Sequence, residues 1–174
     1  MRYILIIVSV IAAFLLQVSV FPMLPFLTIT PNILLIITVS FAIMYGQMYG
    51  LWIGLVCGFL MDFYSGSLPG YTAMLFVCIG YLNGGFAKSF DYEDYKLPAA
   101  VILLSDLIYG IVVYVTSFLI GGDLSPIQAL MYIILPEVVY TGLVTVFMYP
   151  VLVYFNRLIS ERSRRRTKKF TSEQ

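Results

Sequence analysis

Residues 46–62 read GQMYGLWIGLVCGFLMD, with Gly46, Gly50, Gly54 and Gly58 four apart and Asp62 on the next step. In a soluble protein each glycine inside a helix costs roughly 1 kcal/mol against alanine. In lipid the spacing has a use. Helices there gain nothing from burying apolar groups against one another, so they pack where small residues let backbones approach. A period of four follows one ridge of a helix surface. The stretch therefore reads as a membrane helix built to be packed against, ending in a carboxylate. Such a helix belongs to a scaffold sooner than to an enzyme.

The rest of the chain agrees. Charged residues make up 11% of the 174, hydrophobic ones 61%, and the mean hydropathy is +0.96. Apolar runs recur near the roughly 20 residues that cross a bilayer. This composition predicts an all-α, polytopic membrane helix bundle. The net charge of +1 hides a polarised distribution. Residues 157–169, RLISERSRRRTKK, hold seven basic side chains (Arg157, Arg162, Arg164, Arg165, Arg166, Lys168, Lys169) and one acid; the remainder has three basic residues against eight acids. A polybasic run just after a membrane helix suits anionic lipid headgroups, and nucleic acid has nothing else to bind. Cys57 and Cys78 both fall in apolar runs and read as small buried hydrophobes.

Six apolar segments can be drawn: Tyr3–Phe21, Asn32–Tyr45, Gln47–Tyr64, Tyr71–Ala87, Leu97–Ile120 and Ile127–Phe155. They make residues 1–156 a six-helix transmembrane domain, followed by a basic cytoplasmic tail at 157–174. Pro136 is expected in the first turn of the last helix, with 127–135 at the interface or folded back. The second segment, 14 residues long, is a short tilted span or merges with the third. With six crossings, Arg2, Lys88, Lys96 and the tail share one side, which the positive-inside rule makes cytoplasmic. Segments 22–31, 65–70 and 121–126 then face outward. The N-terminal run is long for a signal peptide and lacks a small-residue cleavage site, so it is kept as the first helix.

Little chemistry is available. There is no histidine, phosphate-binding loop, dinucleotide fingerprint or Cys-x-x-Cys pair, which argues against an enzyme and against any cofactor. Three carboxylates lie in or near apolar segments: Asp62, Asp106 and Glu137. Intramembrane ionisable groups are functional candidates by default. Two roles fit Asp62, at the outer end of the third segment: solvation or turn-amide bonding, and partner binding. Glu137 follows Pro136 and suits a capping role at a helix start. Asp106 lies about 13 Å into the fifth segment at 1.5 Å per residue. No Lys or Arg reaches that depth, so it is protonated or bonded to Ser105, Asn83 or a tyrosine; a single deep carboxylate suits an interhelical bond that locks the bundle better than proton-coupled transport, which would use a relay of such groups.

Residues 30–87 resemble the bacterial rod shape-determining protein MreD family. Pro31, Asn32 and Ile33 open the resemblance; the glycine run closing on Asp62 continues it; Gly70 and Gly80-Tyr81 follow. Residues 134–155, ILPEVVYTGLVTVFMYPVLVYF, are similar to the family's last helix. The long polybasic tail departs from the pattern. The resemblance implies a non-enzymatic component of the cell-elongation, peptidoglycan-synthesising machinery in the bacterial cytoplasmic membrane. Its implied partners are MreC and, through it, RodA, a class B penicillin-binding protein and MreB. It also implies a fold similar to the six-helix substrate-binding subunit of energy-coupling-factor transporters. A vitamin-binding subunit of that kind is therefore the alternative function. Only Gln17, Asn32, Asn83, Asp62 and Glu137 offer polar lining for such a pocket. A lipid-handling enzyme would need a nucleophile–base pair that the sequence lacks.

Overall fold

The computed structural model of the chain describes residues 2–23, 30–66, 69–88, 96–119, 128 and 130–171. Among the described residues six α-helices follow one another: α1 (Arg2–Leu15), α2 (Ile33–Tyr45), α3 (Gln47–Ser65), α4 (Tyr71–Gly84), α5 (Lys96–Leu119) and α6 (Leu135–Thr171). No strand occurs among the described residues. A π-helical turn at Leu16–Val20 and a 3-10 turn at Phe21–Met23 extend α1. Four stretches are long and apolar enough to cross a membrane: Tyr3–Met23, Gln47–Ser65, Lys96–Leu119 and Leu130–Leu158. Ile33–Tyr45 and Tyr71–Ala87 are apolar but shorter.

α2 is the centre of the bundle. Every residue from Ile33 to Ile43 is buried, on all sides of the helix. That pattern follows from a sequence apolar all round, ILLIITVSFAIMY, which has no polar face to turn outward. α1, α3, α4, α5 and α6 all pack against it. At its C-terminal end the Tyr45 hydroxyl donates to Asn156 Oδ1 of α6 at 2.6 Å. At its N-terminal end the Asn32 N–H donates to the Thr141 hydroxyl, nearly two turns into α6, at 3.1 Å. Those α6 anchors are 15 residues apart in sequence, about 22 Å along the axis. A hydrocarbon core is about 30 Å thick. α2 is therefore too short to span a hydrocarbon core of that thickness.

The last helix departs from expectation. Residues 130–134 neither fold back nor lie apart; they form a π-helical turn that runs straight into α6. Pro136 has no N–H, and its ring clashes with the carbonyl four residues earlier in a regular α-helix. The wider π turn moves that carbonyl away and lets the helix continue. At the other end the helix runs on to Thr171, so the basic tail's backbone is an extension of α6. The tail's side chains from residue 159 on lie outside the described ones, as do segments 24–29, 89–95 and 120–127, which hold most of the expected loops. Cys57 is buried as expected, whereas Cys78 is exposed on the lipid-facing side of α4; both are free thiols.

Candidate functional site

The glycines of α3 meet α4 within the same chain. A Cβ added at Gly50 would strike the Gly80 carbonyl, at Gly54 the Phe76 carbonyl, and at Gly58 the backbone of Ala73. The contact is reciprocal. Gly80 meets the Gly50 carbonyl, and Gly84 sits on the backbone of Gln47. Gly46 joins this contact through its backbone carbon, 2.7 Å from where a Cβ on Gly84 would lie, whereas a Cβ of its own would meet nothing; its φ of +96°, a conformation that favours glycine, makes the turn between α2 and α3. The glycine face that reads in sequence as built to be packed against is thus filled by α4 of the same chain. The Gly80–Gly84 spacing carried the complementary signal, which the sequence reading did not use.

Asp62 finishes this hairpin. Its carboxylate accepts from the backbone N–H of Gly70 (2.9 Å), Thr72 (2.9 Å) and Ala73 (3.2 Å). Those are the orphan donors at the start of α4, where a carboxylate also complements the helix dipole. Of the two roles open to Asp62 in sequence, the geometry places it on turn amides. It is only 5% exposed, which leaves little of it for a partner.

The N-terminus of α2 poses a harder problem, because its free N–H groups lie inside the bundle. Each has a partner. Asn32 N–H donates to Thr141 Oγ1, Ile33 N–H to the Pro31 carbonyl (3.1 Å), Leu34 N–H to Gln17 Oε1 (3.0 Å) and Leu35 N–H to Asn32 Oδ1 (3.3 Å). An unpaired amide there would lose a hydrogen bond that no water can replace. Gln17 and Thr141 were missed as structural residues. No local sequence signal pairs positions so far apart in the chain.

Asp106 lies next to this junction. It does not bond Ser105 or Asn83, as the sequence suggested. Those two bond each other at 2.9 Å, and each also donates to a carbonyl one turn back in its own helix. Adjacent helical residues point about 100° apart, so Ser105 faces α4 while Asp106 turns toward α2 and α6. There it faces the Thr141 hydroxyl and the Asn32 side chain, yet neither carboxylate oxygen makes a hydrogen bond of ordinary geometry among the described residues. Glu137, part-buried one turn before Thr141 on the same face of α6, lies within electrostatic range. It stands in the first turn of α6, but the preceding π turn means that this is not a free helix end. No group of three His, Cys, Asp or Glu side chains suited to a metal converges among the described residues.

The described residues also form a concave apolar surface. α1 and α3 flank an apolar groove of about 690 Å³, lined among others by Tyr3, Ile7, Ile11, Trp52, Val56 and Leu60. Ile7, Trp52 and Val56 are each at least half exposed.

A family model described as rod shape-determining protein MreD matches residues 1–159. The chain belongs to the MreD family. A role in rod shape determination comes with that membership. Comparison with curated proteins and with solved structures gives no match, so the expected likeness to the transporter subunit gains no support. In this MreD chain the match spans all six helices and stops within the basic extension of α6.

Proposed function

We propose that this MreD chain is a non-enzymatic scaffold of the cell-elongation machinery in the bacterial cytoplasmic membrane. It binds MreC and, through it, engages RodA, a class B penicillin-binding protein and MreB. The family match over residues 1–159 carries this reading. Six crossings put both termini and the 88–96 loop on the cytoplasmic side, where the tail (Arg157 to Lys169) meets anionic lipids. The vitamin-carrier alternative is not favoured. Its polar lining candidates are committed elsewhere: Gln17 and Asn32 cap α2, Asp62 caps α4, and Asn83 is bonded to Ser105.

The surface for the partner's membrane helix must move from the glycine stripe, which α4 covers, to the α1–α3 groove. The groove's α3 lining runs from Met48 to Leu60, about 18 Å of helix, more than half the hydrocarbon core. Affinity purification from native membranes tests both steps. An MreC-like protein should be enriched with the wild type, and Ile11→Trp or Val56→Trp should reduce that enrichment at unchanged abundance. A stoichiometric small molecule with no elongation protein enriched overturns the scaffold reading.

A further inference from the structure

α1 and α3 are joined at two levels, and the apolar groove lies between them. Where both helices begin, the Tyr3 and Tyr49 rings stack with centroids 6.5 Å apart. Farther along, Phe14 meets Tyr64 edge-on at 6.4 Å, and the Gln17 amide donates to Met61 Sδ at 3.4 Å. Between these joins Ile7, Ile11, Trp52 and Val56 stand at least half exposed along about 690 Å³ of concavity. The α1 wall runs from Tyr3 to Ile11 and the α3 wall from Met48 to Leu60, about 12 and 18 Å. One leaflet of a hydrocarbon core about 30 Å thick is about 15 Å deep. The groove is therefore a basin one leaflet deep, bounded at both ends.

Positive charge gathers at one end of that basin. Arg2 precedes Tyr3 in α1. Arg157, exposed on α6, follows Asn156, which accepts from the Tyr45 hydroxyl, and the Tyr45 ring stands 5.3 Å from that of Tyr49. The chain has no acidic residue before Asp62, which lies at the opposite end of α3. Tyr3, Tyr49 and Trp52 line the basic end, as aromatic side chains do at a headgroup boundary. We propose that the basin seats one acyl chain of an anionic glycerophospholipid, with its headgroup at the end marked by Arg2 and Arg157. A single chain of one leaflet fills such a basin, whereas a spanning helix, about twice as long, covers it. The inference goes beyond the partner reading and stands without it: a partner's helix lies across the two joins, over the chain.

The test is native mass spectrometry of the full-length protein released from detergent, after incubation with equal amounts of phosphatidylglycerol and phosphatidylcholine of the same chain length. One phosphatidylglycerol should stay bound, favoured at least about five-fold over phosphatidylcholine. Val56→Trp and Ile11→Trp, which fill the basin from either wall, should each abolish that adduct although the basic tail is intact. Arg157→Gln should cut the headgroup preference about five-fold. Ile111→Trp, on the exposed side of α5, should retain the lipid as wild type does. If one groove variant does not fold, the other decides. Equal retention of the two lipids, or an adduct that survives in both groove variants, marks lipid held by the surface or the tail at large and overturns the proposal. So does loss of the adduct in Ile111→Trp. Retention is read on the protein alone and partner capture in native membranes, so either reading can fail without the other.

Discussion

Gly54→Ala adds one methyl group in the middle of the α3–α4 contact. The new Cβ would lie 2.8 Å from the Phe76 carbonyl carbon and 3.1 Å from the Val77 nitrogen, with the Phe76 oxygen nearer still. Carbon atoms settle at about 3.5–4.0 Å, so the helices must part locally by about 1 Å. The obstacle is backbone and cannot swing aside. The cost therefore falls near the upper end of the usual overpacking range, about 3 kcal/mol. Alanine returns about 1 kcal/mol of helix propensity. The net loss is about 2 kcal/mol, roughly thirty-fold in the folding equilibrium. A midpoint about 4–8 °C lower is expected in thermal unfolding of the purified protein in detergent, read by exposure of the buried Cys57 thiol to a reactive dye in a Cys78→Ser background. Gly85→Ala is the control. Its Cβ would meet only the Gln47 side-chain nitrogen, at 3.2 Å, the far end of a flexible chain. It should stay within about 0.5 kcal/mol of wild type. A Gly54→Ala protein as stable as wild type would refute the close-packing account.

Asp62→Ala leaves three N–H groups at the start of α4 without their acceptor and should cost about 1–2 kcal/mol; Asp62→Asn should recover part of that in the same unfolding assay, and equal losses would argue against capping. Gln17→Leu removes the acceptor of the Leu34 N–H in a water-poor setting. It should destabilise by about 1–3 kcal/mol, read as lower yield of folded protein, and a neutral result would mean that α2 has another acceptor. Tyr92→Cys, in a variant lacking Cys57 and Cys78, should resist an impermeant thiol reagent applied outside cells. Labelling there would sink the six-crossing topology.

Helix order was legible in the sequence because apolar runs and their breaks carry it directly. The sequence placed Pro136 rightly in the first turn of the last helix, but not the helical turn ahead of it, and it gave Gly46 the wrong local role. A four-residue period includes Gly46 formally, but the chain uses that glycine's positive φ to turn from α2 into α3. Proline at 136 suggests a helix start, and only a π turn ahead of it, itself invisible in composition, lets the helix run through. The polar groups show the same limit. Asp106 was recognisable as deep from its position alone. Its neighbours Asn32 and Thr141 come from helices far away in sequence, and their approach depends on where α2 ends in the bilayer. Ser105 and Asn83 were named as its partners, and a turn of about 100° along α5 gives them to each other instead.

The internal use of the glycines and of Asp62 constrains how this chain can hold a partner. In lipid, apolar surfaces do not drive association by themselves, so a stable helix contact needs close packing, a polar bond or both. The closest packing that α3 offers is already taken by α4, and its carboxylate by the turn that follows. What remains on the lipid side of α1 and α3 is bulky and apolar: Tyr3, Ile7 and Ile11 facing Trp52 and Val56. Such a surface can select a partner only by shape, through a concavity wide enough to seat a helix side on. The groove supplies that shape. It follows that lesions in the α3–α4 hairpin act on abundance, whereas lesions that act on association alone belong on α1 and the outer side of α3.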